Sequence, residues 1–241
     1  NIITLFPSIM NFFDLKVNII PNIDPNFSSI SDSMEILKEI HSHDISKICA
    51  VPFIYDIKKQ NPIKILTEIQ KEASKISDFN IPDLSHAIEY PINYKYSNPS
   101  ELVTLNHTKY LMLKFPSFDL PLNLIEILNR FNSQGFTIII NNLESNILFK
   151  KYFDPKILTE NNCLLNIDIS KIILSKKSNQ IPFIKFINEK KLIASFSGFS
   201  KRISDGVIET INKFSYLTGI DKDKILNDFM WRNPNIINSS D

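Results

Sequence analysis

The chain has 241 residues, of which 43% are hydrophobic and 22% charged, and its 27 basic and 26 acidic residues give a formal net charge of +1. This composition is typical of a globular protein with a full core, and the balanced charge provides no global field that would attract nucleic acid or an anionic membrane. No apolar stretch approaches the ~20 residues that a membrane span requires, and the first residues lack the features of a signal peptide, so we predict a cytoplasmic protein with no membrane span and no nucleic-acid partner.

Seven short runs of apolar, β-favouring residues predict strands. They lie at residues 12–17, 47–51, 84–88, 110–115, 137–140, 163–167 and 192–195. Between most of these runs, apolar residues recur at helical spacing. Asn61 before Pro62 predicts a helix start, Gly135 predicts a helix end, and Asp221 is placed to cap a last helix.

Strands that alternate with helices predict an α/β domain with a mainly parallel sheet. Seven candidate strands favour a closed barrel over a small open sheet. We find no repeat, linker or break in composition, so residues 1–241 are predicted to form a single domain. Within it, residues 1–11 are an N-terminal lead-in, and residues 221–241 are a C-terminal helix and tail.

Histidine and cysteine give little support for a metal site. His41 and His43 lie two residues apart at the end of a predicted helix, where their side chains point in different directions. His86 lies in a strand and is predicted to be packed, whereas His107 lies in a polar turn and is predicted to be exposed. The two cysteines, at positions 49 and 163, are predicted to be buried free thiols. The chain has only four glycines and no glycine-rich phosphate loop.

In parallel barrels the chemistry lies at the carboxyl ends of the strands and in the loops that follow them. The acids at these places are Asp24, Glu89 and Glu144. They could hold magnesium or perform acid–base chemistry, although a solvated or structural role is favoured.

Segments at the strand ends resemble, in order, the motifs of the bacterial PHP-domain tyrosine phosphatases, which are metal-dependent enzymes linked to capsule and exopolysaccharide control. The family's D-x-H-x-H-x-L-P-G-I-D-D-G is D-L-K-V-N-I-I-P-N-I-D-P-N at residues 14–26, and its T-P-H is V-P-F at 51–53. Its A-x-E-Y is A-I-E-Y at 87–90, and its Y-x-L-x-E-F is Y-L-M-L-K-F at 110–115. Its G-x-x-P-x-x-A-H-P-E-R is G-F-T-I-I-I-N-N-L-E-S at 135–145, its S-D-x-H is S-F-S-G at 195–198, and its W-x-N-P is W-R-N-P at 231–234. The resemblance rests on this collinear series, because no single metal motif is intact.

The resemblance implies a distorted (β/α)7 TIM-like barrel of PHP type, in which histidines and acids at the strand ends hold two or three metals. This chain departs from the family at most of those positions. The former metal-site positions, together with the acids that frame the first motif, are Asp14, Lys16, Asn18, Asp24, Phe53, Glu89, Asn142, Phe196 and Gly198. Glu144 remains in the fifth motif, while Ser145 replaces the family's arginine.

Phenylalanine and glycine side chains donate nothing to a metal, and a lysine ammonium would stand where a dication stood. We therefore predict no catalytic residue, no metal and no other cofactor, and we predict that the chain is not an enzyme. The first hypothesis is a pseudophosphatase that acts as a binding, scaffolding or regulatory subunit. Its partner would be an active paralogue, a tyrosine kinase or a larger envelope- or polysaccharide-associated assembly, and a homo-oligomer is also possible.

Two alternatives stay open. One is a module that binds phosphate or phosphotyrosine without cleaving it, with Lys16, Lys201 and Arg202 as the anion-binding residues. The other is a residual metal-dependent tyrosine phosphatase that uses the few acids that remain.

Overall fold

The computed structural model describes residues 12–23, 28–43, 45–57, 61–75, 81–146, 148, 154, 156–174, 191–196 and 206–238. The strands are β1 (Phe12–Val17), β2 (Ile45–Ala50), β3 (Asp83–His86), β4 (Glu89–Pro91), β5 (Tyr110–Lys114), β6 (Thr137–Asn141), β7 (Cys163–Asp168) and β8 (Leu192–Ser195). The helices are α1 (Ile30–Ser42), α2 (Pro62–Ala73), α3 (Leu124–Ser133), α4 (Lys156–Glu160), α5 (Ile169–Leu174), α6 (Gly206–Thr218), α7 (Lys222–Lys224) and α8 (Asn233–Asn238). A π-helical segment, Ile225–Arg232, joins α7 to α8.

All the paired strands are parallel, as the alternation of strands and helices predicts. They form two sheets, with the orders β1-β2-β3 and β4-β5-β6-β7-β8. The predicted run at residues 84–88 is not one strand, because the chain bends after His86 and pairs with β2 before the bend and with β5 after it. Backbone hydrogen bonds bridge the two sheets: the Glu89 N–H donates to the Pro52 carbonyl, and the Ile54 N–H donates to the Glu89 carbonyl.

The last strand lies beside the first. β8 packs against β1, and the backbone N–H of Phe196, just after β8, donates to Asp14 Oδ2 at 3.0 Å. The eight strands therefore lie next to one another in chain order. The hydrogen bond from Phe196 to the Asp14 side chain connects the end of the last strand to the first. Their carboxyl ends face the same side of the molecule, so the residues that follow them converge.

Two buried apolar clusters stabilise this arrangement. One cluster is built from alternate residues of the strands and includes Phe13, Leu15, Cys49, Met112, Ile139 and Ile193. The other packs the opposite faces of the strands against the helices. Both cysteines are buried and free, as predicted.

The helix ends follow from local chemistry. The Asn61 side chain accepts from the N–H groups of Ile63 and Lys64, so α2 starts where predicted. Gly135 follows α3 with a φ of 88°, which suits glycine after a helix. Asp221 accepts from the Lys224 N–H and caps the last helical stretch, as predicted. The short helices α4 and α5 are not predicted by the sequence, because six residues or fewer carry too little periodicity to be recognised. Within the described residues, no helix is both long and apolar enough to cross a bilayer.

Candidate functional site

A cluster of buried carboxylates lies where the strands end, and ammonium groups from two elements reach into it. We call it the ion-paired cluster. It consists of Asp14, Lys16, Glu89, Asn142, Glu144, Asp168 and Lys171.

Lys16, at the end of β1, forms an ion pair with Glu89, which opens β4. The lysine side chain is 13% exposed and that of the glutamate 3%. Because both groups are largely removed from water, each depends on the other for its charge to be tolerated. The pair also joins two strands that are not neighbours in either sheet.

Lys171 lies in α5, the short helix that follows β7. Its ammonium Nζ is 3.1 Å from Asn142 Oδ1, 3.4 Å from Glu144 Oε1 and 3.6 Å from Asp168 Oδ2. The Lys171 backbone N–H donates to the other oxygen of Asp168 at 3.2 Å, so this acid also holds the first turn of α5 in place.

The charges of this cluster act on one another. Burial raises the pKa of Glu144, the nearby Lys171 opposes that rise, and Asp168 reinforces it. Burial would lower the pKa of Lys171, but the carboxylates of Glu144 and Asp168 outweigh this effect and raise it. Lys171 therefore stays charged near neutral pH, and the cluster keeps its internal cation.

Asn142 links the loop after β6 to the strand beside it. Its φ is 67°, a left-handed conformation that asparagine tolerates better than most residues. Its Nδ2 donates to the Phe115 carbonyl at 3.1 Å, while its Oδ1 accepts from Lys171. The side chain is thereby held with its oxygen toward the ammonium.

Asp14 is fully buried at the junction of β1 and β8. Burial raises its pKa to about 7, although backbone N–H groups of Lys16 and Phe196 donate to it and oppose the shift; the charge of Asp168 adds to the rise. The carboxyl group is therefore largely protonated in the folded protein at pH values where the unfolded chain has already lost the proton.

This shift predicts how stability depends on pH. Between the ordinary pKa of 3.8 and about 7, the folded state binds more protons at Asp14 than the unfolded state does. The contribution of Asp14 to the free energy of unfolding must then fall as pH rises through this window, by on the order of a few kcal/mol. Urea unfolding of the wild type and of Asp14→Asn at several pH values measures it. The stability of the variant relative to the wild type should increase with pH, and parallel curves would contradict the assignment.

A pocket lies beside the ion-paired cluster, at the ends of β4 and β5. It has a volume of about 330 Å³ and is lined by Phe53, Pro91, Ile92, Asn93, Lys114, Phe115, Pro116, Ser117, Asp119, Pro121 and Asn123. The ammonium of Lys114 lies 4.4 Å from the centre of the Phe53 ring, a cation–π contact. We call this the Lys114 pocket.

The structure brings together some of the predicted site residues and separates others. Asp14, Lys16, Glu89, Asn142 and Glu144 meet in the ion-paired cluster. Phe53 lies in the Lys114 pocket, Phe196 is buried, and Asn18 is exposed. Four of the predicted residues, Asp24, Gly198, Lys201 and Arg202, lie outside the described residues. The role of Lys16, Lys201 and Arg202 in anion binding therefore stays a prediction, and the Lys16 charge is already engaged by Glu89.

The histidines take no part in the cluster. His86 ends β3, with its ring 5.1 Å from that of His107, and burial together with His107 lowers its pKa. His107 is exposed, as predicted, and His41 is exposed in the last turn of α1.

Two residues of the ion-paired cluster, Asp168 and Lys171, are not predicted from the sequence. Their signal was an acid at the end of a strand with a basic residue three positions later, D-I-S-K at 168–171. That spacing is common on exposed helix starts, so by itself it does not indicate a site.

The described side chains do not fit a metal centre of the kind that the PHP resemblance implies. Among them, no three histidine, cysteine, aspartate or glutamate side chains are grouped so that they could hold a metal ion. Ammonium groups contact the carboxylates of Glu89, Glu144 and Asp168 instead. Zinc, iron and copper favour imidazole and thiolate ligands. The Cys49 thiol interacts with Asp14, but burial and the Asp14 charge raise its pKa well above the ordinary value, so it stays protonated.

Fold and site together define a parallel α/β protein that has a cluster of buried charged residues and a pocket at the carboxyl ends of its strands. The chain belongs to the family described as "Capsular polysaccharide synthesis, CpsB/CapC", whose family model matches residues 12–230.

Individual relatives agree with this family. The chain is 25% identical over 143 residues to the putative tyrosine-protein phosphatase CapC of Staphylococcus aureus, a match that spans 55% of this chain and about half (54%) of the relative. Among solved structures, it is similar to one reported with YwqE from Bacillus subtilis and CpsB from Streptococcus pneumoniae, which are described as metal-dependent tyrosine phosphatases. That match has a TM-score of 0.72 at 18% identity, over 92% of this chain and 94% of the other. A mutant organophosphorus hydrolase from Deinococcus radiodurans matches with a TM-score of 0.53 at 9% identity, over 94% of this chain and 92% of the other. The predicted resemblance and the PHP-type α/β fold are thereby confirmed.

These comparisons overturn the prediction that the chain is not an enzyme. The family model and the relatives point to a family of tyrosine phosphatases, and nothing observed demonstrates a loss of activity. That prediction was drawn from the substituted ligand positions alone. The identity of side chains at a few positions does not exclude catalysis, and two of those positions, Asp24 and Gly198, lie outside the described residues.

Proposed function

We propose that this chain recognises phosphotyrosine on a protein partner and that the Lys114 pocket receives the phosphorylated side chain. The observation that carries the proposal is the Lys114 ammonium, held over the Phe53 ring within a pocket at the strand ends. Across the described part of the chain, no carboxylate lies within ion-pair distance of this ammonium. Its charge is therefore available to an anion, in contrast to the charges of Lys16 and Lys171.

The walls of the pocket suit an aromatic phosphate ester. Phe53, Ile92 and Pro121 offer apolar surface to a phenyl ring, whereas Ser117 and Asn123 offer hydrogen-bonding groups. An ammonium with such neighbours binds phosphate oxygens through charge-assisted hydrogen bonds, which are stronger than neutral ones. Asp119 also lines the pocket, and its Oδ1 accepts from the Leu120 N–H at 2.8 Å, so its charge is partly satisfied locally.

The surface around the pocket supports a protein as the carrier of the phosphate. Tyr55, Phe118 and Leu122 are 65%, 79% and 103% exposed. Tyr55 contacts the pocket residue Phe53 ring to ring, while Phe118 and Leu122 alternate along the chain with pocket residues. Exposed apolar side chains around a polar pocket are typical of a protein-binding surface. A tyrosine kinase or another component of capsular polysaccharide synthesis is the proposed partner.

The test is a calorimetric titration of the wild type with a tyrosine-phosphorylated peptide and with the same peptide unphosphorylated. We expect the phosphorylated peptide to bind at least ~10-fold more tightly, because a charge-assisted contact contributes roughly 1.5–3 kcal/mol. Equal affinities would contradict the proposal.

A second candidate function is hydrolysis of the phosphotyrosine, and the names of the relatives favour it. Release of phosphate from the same peptide, measured with added Mn²⁺ and with a chelator, tests this candidate. Turnover that requires Mn²⁺ would establish it, whereas binding without turnover would leave recognition as the function.

A further inference from the structure

We propose that Asp119 makes the Lys114 pocket selective for a phosphotyrosine that lies next to an arginine or lysine in the partner's sequence. The inference rests on the proposed function, because it names the class of phosphotyrosine sites that the pocket takes. Asp119 is assigned as a specificity-determining residue, which contacts the neighbour of the phosphotyrosine and not the phosphate.

The first observation is that the pocket carries one charge of each sign. Among the described residues that line it, Lys114 is the base and Asp119 is the acid. Within the described part of the chain, they form no ion pair with each other or with any other residue. Both charges are therefore available, and the pocket is complementary to a ligand that presents an anion and a cation side by side.

The second observation is that the two charges lie at different depths. Lys114 is partly buried, with its ammonium over the Phe53 ring, whereas Asp119 is exposed. A phosphotyrosine whose phosphate reaches Lys114 leaves its own backbone at the entrance of the pocket, with the next residue only ~3.8 Å away along the chain. Asp119 therefore faces the neighbours of the phosphotyrosine, and its negative charge favours a basic side chain there over an acidic one.

The third observation is that Asp119 is held in position. The Asn146 side-chain amide donates to the backbone carbonyls of Pro116 and Asp119, and the Leu120 N–H donates to Asp119 Oδ1 at 2.8 Å. Among the described residues, no hydrogen bond occupies the other carboxylate oxygen, Oδ2. A carboxylate that is already ordered loses little conformational freedom when it pairs with a cation, so more of the interaction appears as selectivity.

The experiment measures binding of fluorescently labelled peptides by anisotropy. Two phosphotyrosine peptides are identical except that arginine flanks the phosphotyrosine on both sides in one and glutamate does so in the other. Each peptide is also used without the phosphate. We expect the wild type to bind the arginine-flanked phosphopeptide about 5-fold more tightly than the glutamate-flanked one, which is the upper end of what one exposed ion pair contributes.

Three variants identify the source of this preference. Asp119→Asn keeps the oxygen that accepts from the Leu120 N–H but loses the charge, so its affinities for the two phosphopeptides should agree within about 2-fold. Asp119→Lys should prefer the glutamate-flanked phosphopeptide. Asp83→Asn is the matched control, because it removes an exposed acid at the start of β3, at the opposite end of the strands, and it should keep the wild-type preference.

The outcomes separate this inference from the proposed function. If the wild type binds both phosphopeptides equally, or if Asp119→Asn keeps the full preference, the role of Asp119 is wrong while phosphotyrosine recognition stands. If the wild type binds each peptide equally well with and without its phosphate, the proposed function fails, and the inference fails with it.

Discussion

Replacement of Lys16 with methionine is expected to lower the free energy of unfolding by about 3 kcal/mol, the lower end of what breaking a buried ion pair costs. Methionine retains much of the apolar stem, so the loss comes chiefly from Glu89, which is left charged and almost fully buried. By comparison, Lys75→Met breaks a pair whose side chains are 57% and 45% exposed, and it should change stability by less than ~0.5 kcal/mol. Urea unfolding at neutral pH measures both variants.

A double variant separates the pair from other effects of the mutation. In Lys16→Met with Glu89→Gln, the uncompensated charge is gone, so a large part of the lost stability should return. If the double variant is no more stable than Lys16→Met alone, the destabilisation has another cause, such as lost packing around the lysine stem.

The second large effect concerns ligand binding. Lys114→Met is expected to weaken binding of a phosphotyrosine peptide by about 2 kcal/mol, or roughly 30-fold, because the variant loses the charge-assisted contact but keeps the apolar stem against Phe53. Calorimetric titration of the variant measures this loss. Stability should change little, since Lys114 has no ion-pair partner among the described residues.

Lys109 provides the matched control, because it precedes the same strand at its opposite end and its ammonium lies over the ring of Tyr110 at 5.7 Å. Lys109→Met removes one positive charge from the protein but leaves the Lys114 pocket intact. Equal loss of affinity in both variants would indicate a non-specific effect of net charge.

The strands of this protein are the part of the fold that hydrophobic pattern predicts well. The predicted run at 12–17 coincides with Phe12–Val17, and that at 192–195 with Leu192–Ser195. The bend between β3 and β4 is different, because residues 84–90 contain no glycine, proline, asparagine or aspartate that would mark a turn. That bend arises from pairing with two different neighbours, which is a tertiary effect.

The sequence predicts where the site lies in the fold, but it does not predict which of its side chains form ion pairs with each other. Because carboxyl ends of parallel strands converge, Lys16, Glu89 and Glu144 could be placed at one end of the fold from the sequence. Which acidic and basic side chains form ion pairs depends on the distances between the strand ends, and these distances are set by the curvature of the sheets. The Lys16–Glu89 pair joins residues 73 positions apart, and Lys171 and Asn142 are 29 apart, so no local pattern reveals either contact.

The family relationship also limits what substituted residues can say about activity. Lys16 and Phe53 stand at ligand positions of the family and on their own predict a loss of catalysis, yet both have specific contacts. Lys16 neutralises a buried acid, and the ring of Phe53 contacts the Lys114 ammonium. A substitution at a ligand position is therefore evidence about the local chemistry, and activity has to be measured.

The most direct test of the account is a crystal structure of the protein with a phosphotyrosine peptide. We predict electron density for the phosphate in the Lys114 pocket, with an oxygen within hydrogen-bond distance, ~3 Å, of Lys114 Nζ and the phenyl ring against Phe53. A phosphate bound instead at the ion-paired cluster, through metal ions on Glu89, Glu144 and Asp168, would contradict both the proposed pocket and the ion pairs of Lys16 and Lys171.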